Sequence, residues 1–184
     1  MKILDIGCGK QKSKKTKPDD IVIGLDITKK GTEADITHDL DVFPYPFQNN
    51  EFDMIICFHT IEHLEDIPQL MSELWRITKN NGIIKILTPA WNSVFSYTDI
   101  THKHHLTPWS FDYWDSTTKF GKKFNHYTSK NTHFKIRKRR ILFENQYKYL
   151  FIESLANIFP KIYSIFFGWI FPATELYFEL QTKK

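Results

Sequence analysis

The chain has 184 residues, 41% hydrophobic and 25% charged, with a formal net charge of +4. That length carries one domain with a sizeable core, and the composition excludes a disordered or fibrous chain. The mild basic excess permits anionic partners but does not by itself indicate nucleic acid.

Taken in chain order, residues 2–6 (KILDI) form the first apolar run, directly behind Met1. No room remains for a targeting peptide, so the cytoplasm is the expected location. Residues 21–25 (IVIGL), 53–58 (DMIICF) and 82–88 (GIIKILT) also predict buried strands, with 34–36 (ADI) a weaker one. Their continuous apolar character predicts parallel strands covered on both faces. Cys8 and Cys57 lie at the ends of two of these runs, which predicts reduced, buried thiols and no disulfide framework.

Between the 53–58 and 82–88 runs, Ile67, Leu70, Met71, Leu74 and Ile77 recur at helical spacing. Asp66 as N-cap, Pro68 in the first turn and Asn80-Asn81-Gly82 as a stop bound a helix over 66–78. Strand, helix and strand make a right-handed crossover. Residues 89–133 are polar, aromatic and rich in His and Thr, with a short helix predicted from Pro108 to Asp115. Residues 134–143 (FKIRKRRILF) predict a basic strand. Residues 147–171 are strongly apolar and broken by Pro160 and Gly168. Alternation over 174–181 predicts a final antiparallel edge strand. No repeat or linker divides the chain, so residues 1–184 are expected to be a single domain. Residues 89–133 would supply substrate-side loops, and 145–172 an apolar insertion before the last strand.

"LDIGCG", residues 4–9, is a strand ending in a glycine turn, where Gly7 and Gly9 let the backbone approach a ligand. A second strand ends at Asp26, 21 residues after Asp5, where an acid reaches the ribose hydroxyls of a nucleoside. A dinucleotide fingerprint would place a third glycine where Lys12 stands. Asp5, two residues before the first glycine, repels pyrophosphate but suits an ammonium or sulfonium. S-adenosylmethionine (SAM) is therefore favoured over NAD.

"ILDIGCG", "IGLDI", "HDLDVFPYPFQNNEFDMIICFHTIEHL", "LWRITKNNGIIKILTP" and "DITHKHHLTPWSFDYW" together resemble the class I SAM-dependent methyltransferases, in particular the small type 11 branch. "FPATELYFEL" resembles the ending of some close relatives in that branch. The resemblance covers roughly residues 2–115. It implies a Rossmann-like α/β sheet of order 3-2-1-4-5-7-6 with strand 7 antiparallel. It implies that Asp5, Gly7 and Gly9 cradle the methionine end of SAM and that Asp26 binds the ribose beside Ile27. Asp39 and Leu40 would flank the adenine, and Phe58 and His59 would floor the site near the methyl. Two departures stand out: Gln11 replaces the usual third glycine, and Lys10 to Asp20 has no apolar stripe, so the first helix is expected to be shortened or missing.

"HTIEH", residues 59–63, then lies beyond the carboxyl end of the fourth strand, where open α/β sheets bind ligands. On a helix, His59, Glu62 and His63 would share one face. Asp99, Thr101, His102, Lys103, His104 and His105 should fold over the same mouth. Three roles stay open. Glu62 and His63 could simply pack the loop. His59 or His102 could take the acceptor's proton during methyl transfer. The stretch also resembles the Glu-x-x-Glu-His divalent-metal motif of some O-methyltransferases, with His102, His104 or His105 as a later ligand and a metal softer than magnesium.

Residues 147–171 make two apolar segments too short and interrupted for a transmembrane span. They could cover the sheet where the first helix is missing, or form a homodimer interface or a peripheral membrane contact, helped by Lys135, Arg137, Lys138, Arg139 and Arg140. The last case suits a lipid-linked acceptor; a small molecule is the other expected acceptor class, and RNA is less favoured because the basic strand reads as a solvated face. The competing function is a non-catalytic SAM-binding or scaffold protein.

Overall fold

The computed structural model describes residues 1–13, 17–124, 132–144 and 151–184. Strands β1 (Lys2–Ile6), β2 (Ile21–Asp26), β3 (Ile36–Thr37), β4 (Phe52–Phe58) and β5 (Thr78–Pro89) are parallel neighbours, with β1 between β2 and β4. β6 (His133–Leu142) and β7 (Glu175–Lys183) complete a seven-stranded sheet of order β3-β2-β1-β4-β5-β7-β6. This is the class I methyltransferase sheet order.

The last strand is antiparallel as expected, but it is not at the edge. β7 lies between β5 and β6, and its Leu176, Phe178 and Leu180 are fully buried. Alternation marks a two-faced environment, which an interior antiparallel strand shares with an edge strand. β6 is the true edge. The Asn157 side chain covers part of it, accepting from Ile141 N (2.9 Å) and donating to Ile141 O (2.8 Å), as a neighbouring strand would.

Helix α1 (Ile67–Ile77) follows its sequence signals closely. Asp66 accepts a capping bond from Gln69 N (2.8 Å), and Pro68 sits in the first turn. Ile67, Leu70, Met71, Leu74 and Ile77 are buried in the core. Each such side chain contributes about 1.5–3 kcal/mol when fully buried, as an upper figure. Its Glu73 and Arg76 form an ion pair (2.6 Å) that also holds the 43–49 loop. Glu73 accepts from Tyr45 N, and Arg76 donates to Phe47 O and Tyr45 O. Tyr45 in turn donates to Leu40 O (2.8 Å), so a helix behind the sheet fixes the loop that carries Asp39 and Leu40.

Between β1 and β2 no helix forms among the described residues. The helix expected over 108–115 is reduced to a 3-10 turn at Asp112–Trp114. Thr107 and Ser110 cap its start, Ser110 Oγ accepting from Thr107 N and Thr107 Oγ1 from Trp109 N, but the backbone then closes at three residues rather than four, Asp112 N donating to Trp109 O and Asp115 N to Asp112 O. Asp112 pairs with Arg139 on β6, and Asp115 accepts from Ile136 N. Short helices instead occupy α2 (Val94–Thr98) and α3 (Lys119–Phe124).

The apolar insertion folds as α4 (Ile152–Ile158), one turn at Pro160–Ile162 and a π turn at Tyr163–Phe167. It packs beside β6, not over the β1–β2 region where a first helix would lie. The expectation that it replaces that helix is therefore corrected. Tyr149 and the expected loop residues 125–131 lie outside the described residues. Cys8 and Cys57 are free and buried, and burial pushes the Cys8 thiol up to about 11. Among the described residues, no helix is long and apolar enough to cross a membrane.

Candidate functional site

The parallel strands end together, and the candidate site is built on their carboxyl ends. Gly7 turns at φ +64°, and a Cβ there would lie 2.2 Å from Thr60 Oγ1. Glycine is thus required both by conformation and by the approach of the β4 loop. Gly9 also has positive φ (+56°), but a Cβ there would meet nothing within 4 Å, so its outer side is open to a ligand. Gly9 N donates to Asp26 Oδ2 (2.9 Å), joining the ends of β1 and β2.

Beside this turn lies a cavity of about 330 Å³ lined by Gly7, Asp26, Ile27, Asp39, Leu40, Asp41, His59, Thr60, His63 and Leu64. Five residues expected to bind the cofactor are therefore brought together here: Gly7, Asp26, Ile27, Asp39 and Leu40. Gly9 stands next to them through its bond to Asp26. Asp5 does not line this cavity. It is buried and accepts from Ser13 N (2.6 Å), bracing the glycine loop from behind, and burial raises its carboxyl pKa. Phe58 is half-buried and also outside the lining. Its carbonyl accepts from Thr60 Oγ1 (3.0 Å).

A larger cleft of about 740 Å³ opens alongside, lined by His59, Glu62, His63, Pro89, Phe95, Thr98, Asp99, Ile100, His102, Thr174 and Glu175. His59 and His63 line both spaces, so the cavity and the cleft share one wall. The "HTIEH" stretch is a 3-10 turn, Ile61–His63, not the start of a long helix. His59 precedes it with φ +50°, a conformation few side chains adopt.

The histidines differ in what holds them. His59 Nε2 lies 3.0 Å from Glu175 and Nδ1 lies 3.6 Å from Glu62. Bonding to Glu175, then to Glu62, pushes its pKa up to about 9. His59 therefore keeps its proton at neutral pH, which fits a charge-bearing donor rather than the proton acceptor expected from sequence. His102 Nδ1 donates to Ser96 O (3.0 Å), its Nε2 lies 4.0 Å from Asp99 Oδ2, and its side chain is buried. Asp99 Oδ1 accepts from Thr101 Oγ1 (2.7 Å), so that hydroxyl oxygen accepts from His63 Nδ1 (2.9 Å). The His63 and His102 rings meet edge to face, centroids 4.7 Å apart.

Glu62 is 1% exposed, and its Oε2 accepts from Thr88 Oγ1 (3.2 Å). Its Oε1 is buried without a hydrogen-bond partner. Ligand atoms of Glu62, His63 and His102 lie within 4.8 Å of one another, the donor set of a divalent-metal site. The other two expected late ligands are otherwise engaged: His105 Nδ1 is 2.8 Å from Ser96 Oγ with its ring stacked on Tyr97, and His104 reaches Glu65 O. Lys103 N and His104 N donate to Glu62 O, strapping the 99–105 loop over the turn.

Sequence reasoning missed Thr60, Asp41 and Glu175. Thr60 was signalled only by the need for glycine at position 7. Glu175 falls inside the quoted "FPATELYFEL" ending, yet nothing local ties it to His59, 116 positions earlier in the chain.

The His59 network predicts a pH effect on stability. Its folded pKa, about 9, lies above the unfolded value of about 6.5. The stabilisation is thus fully present below pH 6.5 and is lost as pH rises through about 9. In chelator-treated protein, the thermal midpoint should fall between these pH values. The fall should be smaller in His59→Asn, which tolerates the same backbone. Equal pH profiles for the two proteins would show that the carboxylates do not hold the proton. The effect is modest because His59 is half exposed.

Residues 4–86 match the family model described as a methyltransferase domain. Ajmaline N-methyltransferase of Rauvolfia serpentina is 26% identical over 102 residues, which are 47% of this chain and 35% of that protein. The chain thus spans about a third of that curated relative. The YcgJ protein of Bacillus subtilis superposes with a TM-score of 0.58 at 14% identity, over 100% of this chain and 92% of that one. A SAM-dependent methyltransferase of Archaeoglobus fulgidus gives 0.55 at 18% identity, over 98% and 86%. At these identities the superpositions establish the fold.

Proposed function

We propose, for a chain that belongs to the type 11 branch of the class I SAM-dependent methyltransferases, that it transfers the SAM methyl group to an oxygen or nitrogen of an acceptor held in the cleft. The observation that carries this is the shared wall: His59 and His63 border both the cavity beside the glycine turn and the larger cleft. Donor and acceptor placed in the two spaces would meet there, as an in-line displacement requires. The cavity's donor set suits SAM, with an open backbone turn at Gly9 and a carboxylate, Asp26, facing the expected ribose.

Bound SAM supplies an electrophilic methyl on a sulfonium. Asp26 binds the ribose hydroxyls, Ile27 and Leu40 enclose the adenine, and Asp39 lies at its edge. Gly7 and Gly9 accommodate the methionine end, with Asp5 holding their loop. Phe58 supports the floor of the site. In the cleft, His102 Nε2 accepts the acceptor's proton. The His59 imidazolium faces the acceptor and stabilises negative charge on it. Titration with SAM and S-adenosylhomocysteine tests the first half; incubation with labelled SAM and fractionated extracts tests the second. Tight cofactor binding without label transfer to any fraction would favour a binding or scaffold protein.

A second reading rests on Glu62 Oε1, which is buried without a hydrogen bond and has the His59 ring 3.6 Å away as its ionic neighbour. Glu62 with His63 and His102 would hold a divalent ion, and Nδ1 of both histidines is already anchored, as metal-bound imidazoles usually are. When bound, such an ion polarises an acceptor oxygen. Elemental analysis of protein purified without chelator should then find metal, and Glu62→Gln should lower affinity for it by roughly tenfold or more. Occupancy should fall in acid, since the nitrogens must be neutral. Metal-free protein that turns over fully in excess chelator returns His102 Nε2 to the proton.

A further inference from the structure

The chain leaves β6 at Leu142 and enters β7 at Glu175, and these two residues are paired with each other. Glu175 also pairs with Pro89 at the carboxyl end of β5. The described residues that lead into Glu175 therefore stand at the end of the sheet where the cleft opens. There, the described residues 151–171 are built with two different faces.

The inner face is anchored. Ala156 and Tyr163 are buried, Asn157 bonds the β6 edge, and Asn92 Nδ2 donates to Tyr163 OH (3.0 Å) and Gly168 O (2.6 Å). The outer face is apolar and bare: Phe151, Ile158, Phe166, Trp169 and Ile170 are each 64–73% exposed. The Asn92 bonds tie this face to the loop that forms the cleft's rim, where Val94, Phe95 and Ile100 are exposed as well. The apolar surface is thus anchored beside the cleft's rim, and it exceeds the scattered exposure of ordinary surfaces.

Charge beside residues 151–171 is mostly positive, although Asp99 on the rim and Glu144 just past the end of β6 are exposed acids. Within 151–171 the only ionisable acid is Glu153, which is engaged by Arg140 (3.6 Å) and Phe143 N. Lys161 is exposed within the apolar face, and on the neighbouring β6 Lys138 and Arg140, the latter paired with Glu153, are exposed. Aromatic and aliphatic side chains rimmed by Lys and Arg match the headgroup boundary of an anionic bilayer. A two-fold contact would bring a second set of the same cations into one interface, whereas an anionic bilayer offers them the opposite charge.

We infer that residues 151–171, with the rim at 94–100, dock on an anionic lipid surface, and that the methyl acceptor is a lipid-linked or otherwise amphiphilic molecule entering the cleft from that side. The substrate clause rests on the methyl-transfer function proposed above; the docking clause does not. A groove of about 280 Å³ lined by Ile152, Leu155, Phe159, Ile162 and Phe167 is available to a hydrocarbon chain. No described helix is long enough to span, so the contact is interfacial.

Flotation of the full chain with vesicles of phosphatidylcholine, alone and mixed with phosphatidylglycerol, tests the docking. The chain should float with the mixed vesicles, less so at high salt. Phe166→Asp with Trp169→Asp should cut the bound fraction at least about tenfold while S-adenosylhomocysteine binding stays unchanged by calorimetry. Should that pair fold poorly, Ile158→Ser with Ile165→Ser replaces it. Absence of flotation overturns the docking. So does a concentration-dependent dimer, abolished by the same pair, in a wild-type chain that ignores vesicles. For the acceptor, label from SAM should appear in the organic phase of membrane extracts; label confined to water-soluble products overturns a lipid acceptor. Loss of cofactor binding with flotation intact would sink the proposed function and leave the surface standing.

Discussion

His102→Asn should lower turnover by at least about a hundredfold while leaving SAM affinity within about twofold. The asparagine amide can still donate to Ser96 O, the bond that now orients the imidazole. What disappears is the Nε2 lone pair aimed into the cleft. The residue lines the cleft but not the cavity beside the glycine turn, so cofactor binding should be spared. A proton acceptor acts mainly in the transition state, so the loss should fall on kcat rather than on KM. His104→Asn is the control, since His104 lines neither space. Full activity in His102→Asn, measured in chelator, would show that the acceptor sheds its proton without this group.

Asp26→Ala should weaken S-adenosylhomocysteine by at least roughly tenfold. Hydrogen bonds to a charged group contribute about 1.5–3 kcal/mol each, and each 1.4 kcal/mol is a factor of ten. Two ribose hydroxyls on one carboxylate would raise the loss to several hundredfold. The substitution also frees Gly9 N, which now donates to Oδ2 at 2.9 Å, so the turn itself loosens. Asp26→Asn separates the two effects. Its amide oxygen can still accept from Gly9 N, but the charge is gone, so its affinity should fall between those of wild type and Asp26→Ala. Calorimetric affinity unchanged in both variants would remove Asp26 from the site.

Much of this molecule is written in short-range pattern. The apolar runs of β1, β2, β4 and β5 and the capped stripe of α1 each carry their own signals, because burial and capping act over a few residues. The glycine turn and Asp26 were legible for a related reason: parallel neighbours end at the same edge of the sheet, so a spacing in sequence becomes a proximity in space. Tertiary bonds defeat local pattern, as at 108–115, where Asp112 pairs with Arg139 and Asp115 accepts from Ile136 N, both on β6.

The sequence by itself therefore determined the parallel strands, the crossover helix, the nucleoside-type turn and the presence of histidines near the mouth. Tertiary structure alone decided what each histidine can do. His59 is held cationic by Glu175, brought from the start of β7 because that strand inserts antiparallel beside β5. His102 was distinguished from His104 and His105 by whether Ser96, Tyr97 and Glu65 already occupy the ring, which depends on how the 94–105 loop folds back. Even the place of the apolar insertion followed from the pairing of Leu142 with Glu175. Composition sets which groups a chain owns; protonation and direction depend on neighbours within a few ångströms, and those neighbours are remote in sequence.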